Sequence, residues 1–129
     1  MIVVDTSVWI DFLRETETRA TRMLSEPRAM DDMVVGDVIL LELLKGARGT
    51  RHAEGLENML RQFRLVDMLG ETIAVKAAHN FRTLRGLGVT IRKTTDLIIG
   101  TWCIANNAQL LHNDRDFDKI ETYLGLAVA

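Results

Sequence analysis

At 129 residues the chain suits one domain with an ordinary buried core, spanning residues 1–129. Hydrophobic residues at 47%, charged residues at 26% and a single proline argue against a disordered or fibrous protein. A net charge of −2 does not advertise a nucleic-acid surface, and a lone cysteine, Cys103, excludes an intramolecular disulfide.

The chain opens with "MIVV", a short β-branched run that reads as a strand buried on both faces, typical of a parallel sheet. Asp5 interrupts the apolar run at once, so no signal peptide is expected. "DTSVWIDFLR" reads as a turn and a helix. Thr18 is placed to cap a second helix that ends near Pro27, and "DDMVV" gives a weak second strand. Asp37 is the expected cap of "VILLELLKGA", a helix apolar almost all round and closed by Gly46. Thr50 is the expected cap of "TRHAEGLENMLRQF", and "RLVDM" is a short third strand.

Gly70 precedes a long amphipathic helix, "ETIAVKAAHNFRTLRGLG", with Ile73, Ala77, Phe81 and Leu84 on one face. Thr94 or Thr95 is the expected cap of "DLIIGTWCIANN". Cys103 lies within that apolar pattern and reads as a buried, inert thiol, which suits a reducing, cytoplasmic compartment. "AQLL" is a fourth strand, "DRDFDKIETYL" a final short helix, and "LAVA" a possible fifth strand. No run of about 18 apolar residues predicts a transmembrane helix.

Alternating strands and helices imply an α/β sandwich with a mostly parallel sheet of four to five strands flanked by helices. In such sheets ligands bind beyond the carboxyl ends of the strands. Asp5 ends the first strand and Asp114 follows the fourth by two residues, so both belong on that edge. Each acid also has a local explanation. Asp5 and Asp114 suit helix N-caps, and Asp96 complements the dipole of a first helical turn. Thr6, Ser7 and Thr95 could cap instead, which frees the acids. Glu42 is harder to place, because it stands among apolar neighbours where a carboxylate is seldom buried unpaired. A Lys45 partner three residues on is its ordinary reading.

Taken together, the acids point to a cation. Carboxylates gathered within a few ångströms would raise one another's pKa values, and a divalent ion removes that penalty. Mg²⁺ and Mn²⁺ prefer oxygen ligands, and such a site suits phosphodiester hydrolysis. Committing four of the 18 acids to one site would leave the remainder slightly basic against 16 Lys and Arg.

At this point the sequence resembles the PIN-domain ribonucleases, and most closely the VapC-type toxins of toxin–antitoxin pairs. The resemblance rests on "VVDTSVWIDFL", "ILLELLKGA", "TTDLIIGTW" and "LLHNDRDF", in that order over essentially the whole chain. It implies a three-layer PIN-like sandwich and an acidic site made of Asp5, Glu42, Asp96 and Asp114. These four would be catalytic and metal-holding, with Asp116 an accessory acid and Asp118 left in solvent. Thr6 or Ser7 would position a carboxylate or a water, and Asn113 would support the site. His112 departs from the usual Thr or Ser. It could hydrogen-bond a carboxylate or simply be a polar residue leaving a strand end, and it is not read as a ligand of Mg²⁺.

The resemblance further implies an RNA substrate, transfer or ribosomal, cut by a Mg²⁺- or Mn²⁺-dependent endoribonuclease. Arg92, Lys93, Arg85 and Arg48 are the first candidates for phosphate contact, followed by Arg51, Arg61, Arg64 and Arg82. Aromatic residues, at 5%, are too few for an extended base-stacking platform, so recognition would lean on RNA shape. A cognate VapB-type antitoxin would dock on "VWIDFL" and "VILLELL" and block the acids. A homodimer and a toxin–antitoxin hetero-oligomer are expected, with no membrane partner. Two rival readings remain open at this stage. One is a housekeeping PIN nuclease of RNA maturation or DNA processing. The other is a metal-free binding module that keeps an acidic pocket.

Overall fold

The computed structural model describes residues 1–129. Four strands form one sheet: β1 (Ile2–Val4), β2 (Met33–Gly36), β3 (Arg64–Val66) and β4 (Gln109–Leu111). Every pairing is parallel and the order is β3-β2-β1-β4, which puts the first strand in the interior of the sheet. Val3 and Val4 are both fully buried, and neighbouring strand residues point to opposite faces. Both faces of the sheet are therefore covered, which is the three-layer arrangement expected of βα crossovers.

The helices are α1 (Thr6–Leu13), α2 (Arg19–Leu24), α3 (Ala29–Asp32), α4 (Asp37–Lys45), α5 (Thr50–Leu60), α6 (Glu71–Gly86), α7 (Thr94–Ala105) and α8 (Asp116–Leu124). None is long and apolar enough to cross a membrane. The centre of the molecule is α7, where every residue from Asp96 to Cys103 is buried. Burying each of its Leu and Ile side chains is worth roughly 1.5–3 kcal/mol, so packing and not local propensity holds this helix. Gly100 lets α8 pack close, because a Cβ there would stand 3.1 Å from Ile120. On α6 the expected face turns inward: Ala77 and Leu84 are buried, and Ile73 and Phe81 pack partly against the core. Gly88 takes φ 79°, which turns the chain so that Val89 N–H can donate to the Leu84 carbonyl.

Several local expectations need correction. Thr18 does cap α2, in a capping box with Thr21, but that helix stops at Leu24. A short helix, α3, takes up Asp31 and Asp32, so β2 begins only at Met33. Asp37 is not the N-cap of α4, a position held by Gly36. Its Oδ1 accepts instead from the N–H groups of Val38 and of Met68, tying α4 to the chain after β3. Thr50 and Thr94 are the first residues of their helices, and Gly49 and Lys93 occupy the cap positions without a capping side chain. "LAVA" contributes a single parallel bridge, Leu110 to Val128, and not a fifth strand.

Candidate metal centre

The acids gather where β1 and β4 end. Asp5 N–H donates to the Leu111 carbonyl at 2.9 Å, so one hydrogen bond joins the two strand ends and sets the starting position of both loops. Asp5 has extended backbone angles and is the N-cap of α1. Its Oδ2 accepts from Ser7 N–H at 3.0 Å and from Ser7 Oγ–H at 2.6 Å. Oδ2 of Asp5 thus serves the helix, and Oδ1 has no part in that cap. Asp5 is 3% exposed. Burial pushes its carboxyl above the usual range, the bonds from Ser7 pull it back in part, and the charge of Asp114 adds to the rise.

Asp96 sits in the first turn of α7 and is 4% exposed. Its Oδ2 is buried with no hydrogen-bond partner. Burial first, then the charge of Asp5, push the carboxyl up to about 7, against an opposing pull from Lys93. An unpartnered buried carboxylate oxygen is costly, and native proteins seldom tolerate one without a role for it.

Asp114 follows β4. Its Oδ1 accepts from Asp116 N–H at 3.0 Å, and its Oδ2 lies 3.7 Å from Lys93 Nζ. Carboxylate oxygens of Asp96, Asp114 and Asp116 lie within 4.8 Å of one another. Glu42, on α4, accepts from Thr6 Oγ–H at 3.0 Å, and no ion pair with Lys45 forms. Glu42 lies near enough to this group that its charge raises both Asp96 and Lys93. The structure thus brings Asp5, Glu42, Asp96, Asp114 and Asp116 into one electrostatic group. The donor set is wholly carboxylate oxygen, which fits a hard divalent cation, and the partnerless Asp96 oxygen is where such an ion would be felt most.

Ser7 Oγ accepts from Asn113 N–H at 3.0 Å while donating to Asp5, so it links the α1 start to the β4–α8 turn. Asp11, which the sequence did not single out, accepts from Asn113 Nδ2 at 2.9 Å. The available signal was its position four residues after Ser7, one turn along the same helix face. His112, whose role the sequence left open, bonds a backbone group and not a carboxylate. Its Nδ1 accepts the backbone N–H of Asp114 at 3.2 Å, and its ring lies 5.1 Å from that of Phe117. Asp118 is exposed, as expected, although it and Glu121 bring carboxylate oxygens within 4.8 Å of a ring nitrogen of His112.

Of the basic candidates, Lys93 reaches the acids. Their charges, led by Asp96, hold its ammonium above the ordinary lysine range. Arg92 is exposed beside it. Arg85 stacks over Phe81 at 5.7 Å, and Arg48 lies in the α4–α5 turn, where its N–H donates to His52 Nδ1 at 3.0 Å.

The sequence profile of the PIN domain matches residues 2–122. Ribonuclease VapC11 of Mycobacterium tuberculosis is 31% identical over 133 aligned positions, covering 100% of this chain and 98% of that one. Among solved structures, the DNA-bound VapBC of Salmonella typhimurium superposes with a TM-score of 0.78 at 15% identity, over 99% of this chain and 96% of that chain. VapBC2 from Rickettsia felis, bound to a DNA fragment from its promoter, gives 0.77 at 20% identity, over 100% and 98%. At those identities the two structures speak to the fold alone.

Proposed function

This chain belongs to the PIN-domain family, and from that premise we propose that it is a VapC-type ribonuclease toxin. In this reading a single PIN domain over residues 1–129 hydrolyses phosphodiester bonds of transfer or ribosomal RNA with Mg²⁺ or Mn²⁺. A VapB-type antitoxin holds it inactive in the cytoplasm. The observation that carries the reading is the buried, partnerless Oδ2 of Asp96 beside two further carboxylates.

Asp5, Asp96 and Asp114 would hold the cation, with Glu42 and Asp116 completing the acidic wall. The cation supplies Lewis-acid activation of water and neutralises charge that builds on the phosphate. The chain's own residues supply the geometry. Ser7 fixes one oxygen of Asp5, Thr6 orients Glu42 across two helices, and Asn113 is tied to both Ser7 and Asp11. Asp96 and Asp5 are kept dry, which strengthens every charge interaction that they make. Lys93, beside Asp114, would offer a positive charge to the phosphate of the incoming strand, and Arg92, Arg85 and Arg48 would make further phosphate contacts.

Two exposed apolar positions on α1, Ile10 and Leu13, and one on α4, Leu41, support the antitoxin surface. They lie on the two helices that the sequence assigned to it, and α1 packs against α4. The relatives of similar fold are themselves toxin–antitoxin assemblies. A homodimer belongs to the same proposal.

The test sets wild type beside Asp5→Ala against total RNA, with Mn²⁺ or Mg²⁺ and with a chelator, followed by sequencing of the new ends. Discrete cleavage that needs the cation and disappears in Asp5→Ala is expected. Cleavage that survives in a contaminant-free Asp5→Ala preparation refutes the assignment. Growth arrest on expression, relieved by a co-expressed antitoxin, separates a toxin from a housekeeping nuclease.

A further inference from the structure

Asp114 stands in the turn between β4 and α8, where its carbonyl accepts from Phe117 N–H at 3.2 Å at the start of α8. Three further contacts fix it. Its N–H donates to His112 Nδ1 at 3.2 Å, its Oδ1 accepts from Asp116 N–H at 3.0 Å, and its Oδ2 faces Lys93 Nζ at 3.7 Å. The contact from Asp116 fixes the carboxylate relative to its own turn. The contact to His112 fixes that turn relative to β4, and hence to Asp5, whose N–H is bonded to Leu111.

His112 is itself held. Its ring centroid lies 5.1 Å from that of Phe117 with the planes at 50°, and Phe117 is fully buried. A nitrogen that accepts a hydrogen bond carries no proton, so in this arrangement the ring proton sits on Nε2. An Nε2 that carries the proton has no lone pair to give a metal, so the nearby carboxylates of Asp118 and Glu121 do not turn the ring into a ligand. What remains is an acceptor of defined direction, placed two residues before the acid that it serves.

We propose that His112 is a positioning residue for Asp114, and that it acts by accepting the Asp114 backbone N–H through Nδ1. The proposal rests on Asp114 belonging to the acidic site. Without the acceptor, the N–H turns to water and the carboxylate drifts from its neighbours. Displacements of about 1 Å in a catalytic arrangement can cost about a hundredfold in rate, and loss of a group that orients a metal-holding side chain costs about 10- to 100-fold.

Three variants separate the acceptor from the ring. His112→Phe keeps a ring to pack on Phe117 and removes the acceptor. His112→Asn removes the ring and restores an oxygen that can bond an N–H two residues on. His112→Ala removes both. Each is measured beside Asp114→Asn for kcat and KM on an RNA substrate, for Mn²⁺ affinity by calorimetry, and for melting temperature. His112→Phe should melt like wild type, lose about tenfold in kcat with KM little changed, and bind Mn²⁺ about tenfold more weakly. His112→Asn should recover kcat and Mn²⁺ affinity to within about threefold of wild type, and exceed His112→Ala in both. If His112→Phe works as well as wild type, or His112→Asn does no better than His112→Ala, the side chain serves packing and the proposal is overturned. Full activity in Asp114→Asn overturns both this proposal and the acidic site on which it rests. An inactive Asp114→Asn beside an unimpaired His112→Phe overturns the positioning role alone.

Discussion

Replacing Asp96 by asparagine should make the cation-free protein more stable while abolishing its activity. Asp96 titrates at about 7 in the fold against 3.8 for an ordinary aspartate, with burial the main cause and the charge of Asp5 second. Between those values the folded protein binds more protons at this site than the unfolded chain does. The contribution of Asp96 to stability therefore falls as pH rises from about 4 to 7 and is level above that range. At about 1.4 kcal/mol per pH unit, the interval amounts to about 4 kcal/mol lost by neutral pH. Asparagine carries no charge to desolvate, and its amide takes the place of a neutral carboxyl of similar burial cost. The net gain should thus be about 3–4 kcal/mol, or roughly 10–15 °C in melting temperature for a chain of this size. Urea unfolding in the presence of a chelator, at about pH 8 and about pH 4.5, measures it. The gain should be large at the higher pH and shrink to about 1 kcal/mol at the lower, because that pH lies less than one unit above the 3.8 at which the unfolded chain begins to outdo the fold in losing the proton. An Asp96→Asn protein no more stable than wild type at about pH 8, or one with the same advantage at both pH values, refutes the reasoning. An excess of Mn²⁺ should reverse the order, because only the wild type keeps the full set of carboxylates to bind it.

Ser7→Ala removes the 2.6 Å bond to Asp5 and the acceptor for Asn113 N–H. Ribonuclease activity should drop about 10- to 100-fold. The acid limb of the pH–rate profile should also move to higher pH, because the Ser7 bonds oppose the rise that burial causes at Asp5. Cys103 is fully buried and its thiol is pushed up to about 12, so it should resist alkylation in the native protein at about pH 8 and react once urea unfolds the chain. Rapid native labelling, read by mass spectrometry, would show that the α7 packing opens far more readily than its burial implies.

Much of this was legible from local pattern. "MIVV" reads as a buried parallel strand because β-branched and apolar residues run without alternation, and both it and "AQLL", read simply as a strand, are found in the sheet. The acids at strand ends follow from a rule of topology, that parallel sheets present ligands at their carboxyl edge. Given that edge, Asp5 and Asp114 could be placed together before any coordinate was known. Caps were less legible. Asp37, Thr50 and Thr94 all have capping chemistry, and each was displaced by one residue. Cap preference is worth only about 1 kcal/mol, and packing of the helix it precedes can outweigh it.

The sequence by itself determined the alternation of elements, the edge that carries the acids and the family pattern. These depend on residue type and on spacing within one or two turns of chain. Tertiary structure decided which side chains complete the site. Glu42 is held by Thr6 across 36 residues of sequence, and Asn113 by Ser7 across 106. Lys93, and not its neighbour Arg92, lies against Asp114. Bonds of that span have directions set by how α1, α4 and the β4–α8 turn pack, which no local period encodes. The same holds for charge. Asp96 is an ordinary first-turn acid by sequence, and it becomes a perturbed one only because the fold buries it beside Asp5 and leaves one of its oxygens without a partner.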